Sequence, residues 1–293
     1  MRFEKWQALG NDYLIVERGE LPFGLTPARV RALCDVHRGV GADGVLLLSP
    51  SDDPGHVAEL RIFNPDGSEA ELSGNGAREA VMYLRSRGWT SEDEFTIGTV
   101  AGEVRPTITG PDTCTVDIGA ASLVSKDFPA GAVDGRGEIE AGGNVWRFRH
   151  VSIGNPQCAI AVDGEARLRA LDLSDLGPPI EASALFPNRT NVSWYCELAG
   201  GSDARIRARI FERGVGETLS SGTGASGAAL AYVLDGVGEP AGAEGARVTV
   251  VLDGGELVVE VGAGLRVALT GWARPVFEAR LSEQFVSELQ RGE

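Results

Sequence analysis

The chain has 293 residues, of which 43% are hydrophobic and 24% charged, enough apolar material for one large core or two ordinary ones of about 150 residues each. Acidic residues outnumber basic ones 42 to 27, for a formal charge of −15 and a pI near 4.7. A polyanion is repelled on average, which argues against nucleic acid and anionic membrane as partners.

No run of about 20 apolar residues occurs, and Met1-Arg2-Phe3-Glu4-Lys5 lacks the apolar core of a signal peptide, so a cytoplasmic protein is expected. In chain order, Thr26-Pro27 offers an N-cap and a first-turn proline for a helix running to about His37. Alternation marks Glu59–Phe63, Glu94–Gly98 and Thr113–Ile118 as half-buried strands, and apolar spacing predicts a helix over 76–88. A polar, turn-rich stretch, Lys126–Arg136, follows a strand, placing a domain boundary near residue 120. The second half repeats the style, with helices near 170–176 and 223–235 and strands at Ala204–Phe211, Arg247–Leu252 and Glu256–Val261. Val276–Leu281 is expected to return to the first domain.

Cys34, Cys114, Cys158 and Cys196 are scattered, without a C-x-x-C pair or histidines at metal spacing, and read as core residues in a reducing compartment. His37, His56 and His150 are the only histidines, too few for a His-rich metal site or a ready Ser-His-Asp triad. Lys5 and Lys126, the only lysines, lie outside any glycine-rich ligand loop, which argues against a pyridoxal-phosphate Schiff base. Neither a metal nor a cofactor is expected.

The most informative feature is an internal repeat. Ser73-Gly74-Asn75-Gly76-Ala77 recurs as Ser221-Gly222-Thr223-Gly224-Ala225, each four residues after a glutamate, Glu69 or Glu217. Leu9-Gly10-Asn11-Asp12 recurs as Ile153-Gly154-Asn155-Pro156 at nearly the same offset, half the chain. Two similar α/β halves related by a pseudo-two-fold follow, with the two loops facing one another across one cleft. Each S-G-x-G-A lies after a strand and opens a helix, where backbone N–H groups and the positive helix end favour a carboxylate or phosphate. One copy alone is as well explained by a helix-entry turn with a serine N-cap; duplication favours a ligand site. Asn11, Asn64, Asn155, Asn191 and the pair Glu212-Arg213 gather near these loops. Singly, each asparagine is best read as a turn cap; together with a carboxylate and a guanidinium they suit a small zwitterion such as an amino acid.

These residues resemble the diaminopimelate epimerases along nearly the whole chain. The likeness is carried by Leu9–Val16, Gly39-Val-Gly-Ala-Asp-Gly44, Arg61-Ile-Phe-Asn-Pro-Asp-Gly-Ser-Glu69, Gly74–Arg78, Gly154-Asn-Pro156, Arg189-Thr-Asn-Val192, Glu212–Leu219 and Gly222–Ala225. The resemblance implies an α/β (α+β) fold of two pseudo-symmetric mixed-sheet halves, each with a central helix. The first half is expected over 1–119 with about 273–293, the second over 120–272, with the active site in the cleft between them. A cofactor-independent homodimeric isomerase is implied, converting LL-2,6-diaminopimelate to the meso form used in lysine and cell-wall synthesis. Ligand contacts are implied for Asn11, Asn64, Gly74, Asn75, Asn155, Asn191, Glu212, Arg213, Gly222 and Thr223.

The family uses two bases on opposite faces of the α-carbon, and those bases are cysteines. Here their positions hold Ser73 and Ser221, the histidine after Gly-Asn-Pro is Gln157, and Glu79 stands where another cysteine is frequent. With Glu212, the residues Ser73, Ser221 and Gln157 form the catalytic set expected. A hydroxyl is a far weaker acid than a thiol. The alternatives are a racemase or dehydratase of another amino acid, or an amino-acid-binding protein without catalysis.

Overall fold

A computed structural model describes residues 1–71, 73–199, 204–236 and 245–292, which fall into two compact units, Met1–Val116 with Gly271–Glu293, and Asp117–Thr270. The chain begins with β1 (Arg2–Ala8), β2 (Asn11–Glu17), α1 (Pro27–Cys34), β3 (Val45–Ser49), β4 (Ala58–Phe63), β5 (Glu69–Ala70) and α2 (Gly74–Ser86). Short strands β6 (Ile97–Thr99), β7 (Gly102–Val104) and β8 (Pro106–Ile108) follow, and β9 (Thr113–Ala120) leads out of the unit. Next come β10 (Arg136–Ala141), β11 (Asn144–Ser152), β12 (Pro156–Ala161), α3 (Gly164–Ala170), α4 (Leu173–Glu181), β13 (Asn191–Glu197) and β14 (Ala204–Glu212). They are followed by β15 (Gly216–Thr218), α5 (Gly222–Gly236), β16 (Ala246–Leu252), β17 (Gly255–Val261) and β18 (Arg266–Trp272); β19 (Arg274–Arg280) and α6 (Glu283–Arg291) close the chain.

The repeat seen in the sequence is a repeat of strand pairings. In the first unit β1–β2 is antiparallel, β2–β3 parallel, β3–β4 antiparallel, β4–β6 parallel and β6–β7 antiparallel, with β5 appended to β4. The second unit runs through the same series as β11, β12, β13, β14, β16 and β17, with β15 appended to β14. In each series one helix, α2 or α5, intervenes between the appended strand and the next parallel one. These are two mixed sheets of one topology, each with a central helix. β19 pairs antiparallel with β1, at the edge of the first sheet.

Both central helices are buried on every side through most of their length, α2 from Gly74 to Leu84 and α5 at Gly222, at 224–231 and at Val233. A helix apolar or small all round belongs inside a core, and α5 packs against strands β11 to β14, β16 and β17. The outer sheet faces carry separate cores. Phe3, Leu14, Val16 and Phe63 meet Val30 and Leu33 of α1 and Leu289 of α6; Trp146, Phe148, Trp194 and Phe211 meet Leu168, Leu173, Leu176 and Ile180 of α3 and α4. Covered on both sides, β2 and β3 show unbroken buried runs, Tyr13–Val16 and Val45–Leu48.

Several element boundaries differ from the sequence reading. The first helix stops at Cys34 instead of about His37, because Asp35 is extended and its carboxylate accepts the N–H groups of His37 and Arg38 at 2.9 and 2.8 Å. The single helix expected at 170–176 is two helices, broken at Leu171 and restarted where Asp172 accepts the Ser174 N–H at 3.0 Å. Pro178 and Pro179 sit inside α4; the carbonyls they leave unbonded belong to the exposed Ser174 and Asp175, where water can serve them. Of Glu94–Gly98 only the end is strand, Ile97–Thr99, while Glu94 makes an isolated bridge to Thr107. The helix read over 76–88 spans Gly74–Ser86.

Candidate active site

Each helix start is built by the same parts. At the end of β4, Arg61 grips Glu69 of β5 through Nε and Nη2 at 2.7 and 2.8 Å; at the matching place Arg209 of β14 grips Glu217 of β15 at 2.7 and 3.0 Å. These fork-to-fork pairs fix the short strand that delivers the chain to the helix. Ser73 Oγ then accepts the Gly76 N–H at 3.1 Å, and Ser221 Oγ accepts the Gly224 N–H at 3.3 Å, so both hydroxyls cap the first turn. The second glycine of each motif is a packing requirement. A Cβ at Gly76 would lie 3.1 Å from Leu46 Cδ2, and one at Gly224 would lie 2.8 Å from Ile210 Cδ1. Gly10 and Gly154, the glycines of the other repeated motif, both hold left-handed backbone, with φ of 85° and 71°, a conformation that favours glycine.

Around Ser73 the side chains form a charged, continuous network. Asn75 donates to Asn11 Oδ1 at 3.2 Å and accepts from Arg78 Nη2 at 2.6 Å. Asn11 donates to Asp43 at 2.8 Å, and the same Asp43 oxygen accepts the Asp12 N–H at 3.0 Å. Lys5 closes the chain on Asp12 at 2.7 Å and donates to the Gly41 carbonyl at 2.8 Å. The Asn11 loop and the first turn of α2 are thereby one hydrogen-bonded body. Arg78 and Glu79 are both 0% exposed; burial pushes the Glu79 carboxyl well above its ordinary range, with Asp12 and Asp43 adding to the rise, and pulls Arg78 down to about 10. Tyr13, also buried, donates its phenol to Ser73 Oγ at 3.2 Å.

Around Ser221 the groups next to the helix start are neutral, and the charged ones stand on the Arg213 loop. Asn155 donates to Thr223 Oγ1 at 3.2 Å and accepts from Gln157 Nε2 at 2.7 Å. Asn191 donates to the Pro156 carbonyl at 3.1 Å and accepts the Arg213 N–H at 2.9 Å. The Arg213 loop has a second anchor, because buried Glu181 accepts the Gly214 N–H at 2.6 Å while pairing with Arg189 at 2.8 Å. The Arg213 guanidinium donates to the Asn188 carbonyl at 2.9 Å, and Glu212 accepts from Thr218 at 2.8 Å.

The structure thus places Asn11, Ser73, Gly74 and Asn75 together in the first unit, and Asn155, Gln157, Asn191, Arg213, Ser221, Gly222 and Thr223 together in the second. Asn64 is bonded within its own turn, to Ser68 Oγ at 2.9 Å. Gln157 is fully buried, with its stem over Gly227 one turn into α5. The sequence reading missed Lys5, Tyr13, Asp43, Arg78 and Glu181. Lys5 carried a signal as one of two lysines in a chain with 27 basic residues, and Tyr13, Asp43 and Arg78 lie inside the segments that carry the family likeness. The four thiols do not replace the missing bases: all are buried, and burial raises Cys34 and Cys114 to about 12 and Cys158 well above its usual value. Among the described residues no group of three or more His, Cys, Asp or Glu could hold a metal, and no helix is long and apolar enough to cross a membrane.

Comparison with known proteins agrees with this architecture. A family model described as diaminopimelate epimerase matches residues 3–124 and 149–273. The diaminopimelate epimerase of Pelotomaculum thermopropionicum is 40% identical over 286 residues, covering 94% of this chain and 97% of its own; that of Synechococcus sp. strain JA-2-3B'a(2-13) is 38% identical, covering 94% and 96%. Among solved structures, a probable proline racemase from Agrobacterium radiobacter K84 superposes with a TM-score of 0.69 at 17% identity, covering 96% of this chain and 93% of that one. A Bacillus anthracis phenazine biosynthesis protein of the PhzF family does so with 0.67 at 18%, covering 96% and 99%. At these identities the two structures establish a shared fold.

Proposed function

The chain belongs to the diaminopimelate epimerase family, and from that premise we propose that it interconverts LL-2,6-diaminopimelate and meso-diaminopimelate without a cofactor, Ser73 and Ser221 each serving one face of the α-carbon. The observation that carries the reading is the duplicated helix start, two serine-capped turns of one geometry on sheets of one topology. The first-turn N–H groups and the positive helix end suit the substrate's α-carboxylate. Asn11, Asn64, Asn75, Asn155, Asn191 and Thr223 supply donors and acceptors for a zwitterion, and Glu212 and Arg213 supply its charged partners. Gln157 buttresses Asn155.

Epimerisation needs one hydroxyl oxygen to take the α-proton as an alkoxide while the other hydroxyl gives its proton from the opposite face. The α-carbon inverts, and the enzyme is left with the charges on its two oxygens exchanged. Against an ordinary thiol near pKa 8.5, a hydroxyl makes this step costly, so turnover is limited by chemistry and not by binding. We further place the protein in the cytoplasm as a homodimer, in keeping with the family and with four buried, unpaired thiols.

One observation favours a second reading, an amino-acid-binding protein: both hydroxyls already serve as ordinary helix caps. Incubation with LL-diaminopimelate in deuterated water, read by mass spectrometry, separates the two. Deuterium in meso-diaminopimelate formed from it supports the epimerase; tight binding with no gain in mass replaces it with the binding protein.

A further inference from the structure

The two capping hydroxyls differ in what surrounds them. Ser221 Oγ accepts the Gly224 N–H at 3.3 Å. Ser73 Oγ accepts the Gly76 N–H at 3.1 Å and a second, side-chain hydrogen bond, from the Tyr13 phenol at 3.2 Å. The phenol is held firmly: Tyr13 is 5% exposed, lies in β2 between the Asn11 loop and a fully buried run, and its ring passes so close to Gly44 that a Cβ there would be 2.6 Å from Cε1. Position 157, which occupies the corresponding place after Gly154-Asn155, carries an amide that bonds Asn155 instead.

Hydrogen bonds donated to an oxygen favour its charged form. We propose that Tyr13 is a positioning residue for proton transfer at Ser73: its phenol, with the Gly76 N–H, holds negative charge on Oγ and makes Ser73 the more acidic of the two helix-start hydroxyls. The step it assists is balanced within the chain and substrate. The Ser73 O–H bond breaks as a C–H bond forms at the carbanionic α-carbon, leaving the alkoxide under two donated hydrogen bonds; the reverse step removes the proton and restores the hydroxyl. This inference rests on the proton-transfer role proposed above for Ser73, but the phenol's effect on whatever group stands at position 73 is measurable apart from any turnover.

The first measurement is the pH dependence of iodoacetamide alkylation in Ser73→Cys and in Ser73→Cys, Tyr13→Phe. Ser73 is partly exposed whereas the four native thiols are buried, so the introduced thiol is the one read. Loss of the phenol should raise its midpoint by about one pH unit, and a midpoint unmoved within about 0.3 would overturn the proposal. The second uses the native serine: Tyr13→Phe keeps the ring, and should lower kcat for α-hydrogen exchange about tenfold with KM within about twofold. An unchanged kcat, or a change in KM alone, also overturns it. If the wild-type chain exchanges no hydrogen while the thiol midpoint moves, the epimerase reading fails and the coupling of Tyr13 to position 73 stands. Exchange with an unmoved midpoint sinks the Tyr13 role alone.

Discussion

The helix starts at Ser73 and Ser221 share their capping hydrogen bonds and differ in what stands behind them. Behind Ser73 stand Arg78 and Glu79, both fully buried, and a run of charged partners from Asp43 to Lys5. Behind Ser221 the matching residues are Ser226, which turns back to the Gly222 carbonyl at 2.8 Å, and Gly227, which makes room for Gln157. The repeat thus keeps the serine-capped turn and varies its support. The shared turn is the part that the proposed function asks of both halves; the differing support is where the two helix starts acquire unequal surroundings.

The largest expected effect comes from changing the base at both sites. Ser73→Cys with Ser221→Cys should raise kcat on the order of 10²-fold, with substrate affinity little changed, because thiol and hydroxyl bind the ground state alike and differ as proton carriers. Either change alone should give less than half the logarithmic gain, since both faces must be served. Steady-state kinetics of meso-diaminopimelate formation checks both statements, and equal gains from one or two changes would show that only one face is limiting.

Arg213→Ala asks whether the second unit carries the charged ligand contact. It should cost on the order of 1.5–3 kcal/mol of binding, or one to two powers of ten in Kd by calorimetry. Unchanged affinity would remove Arg213 from the ligand. Asn75→Ala and Asn155→Ala then compare the two supports. The first leaves a fully buried guanidinium short of an acceptor and should cost about 1–3 kcal/mol in urea unfolding, the second, among neutral amides, about 1 kcal/mol.

Glu79 gives the comparison a pH dependence. Burial keeps its carboxyl protonated in the folded chain well above the ordinary carboxylate range, whereas an unfolded glutamate releases its proton near about 4.3. Above that pH the native state holds the extra proton, so this residue's contribution to stability falls as pH rises, by up to about 1.4 kcal/mol per unit. Glu79→Gln should remove that slope, and its gain over wild type in urea midpoint should be larger at pH 8 than at pH 5; an equal gain at both would contradict a buried neutral acid. The caps themselves close the comparison, with Ser73→Ala and Ser221→Ala each costing about 0.5–1 kcal/mol of stability by thermal unfolding.

The fold was legible where the chain repeats itself. The recurrence of Ser73–Ala77 at Ser221–Ala225 and of Gly10-Asn11 at Gly154-Asn155 already implied two halves of one topology: the first motif leads from a strand into a helix and the second turns one strand into the next, at nearly the same offset. Elements set by side-chain capping were less legible: Asp35 and Asp172 end or restart helices through carboxylate bonds to backbone N–H groups that apolar periodicity does not register. Asn11, Asn75, Asn155 and Thr223 could be picked out because they lie inside the repeated motifs. Tyr13 could not, since it reads as a strand residue, and Glu79 stood out only as a departure from the family's cysteine, not as a buried acid. Their significance comes from burial beside Ser73 and within α2, a tertiary property that no local pattern encodes.

The central claim is proton transfer on both faces of one α-carbon, and the stereochemistry of isotope incorporation tests it most directly. LL-diaminopimelate incubated with the wild-type protein in deuterated water, stopped early and resolved into its stereoisomers, should give meso product carrying one deuterium at the inverted carbon while the remaining LL substrate carries almost none. Deuterium accumulating in recovered LL substrate with no meso product would show a single working face, and would contradict the account.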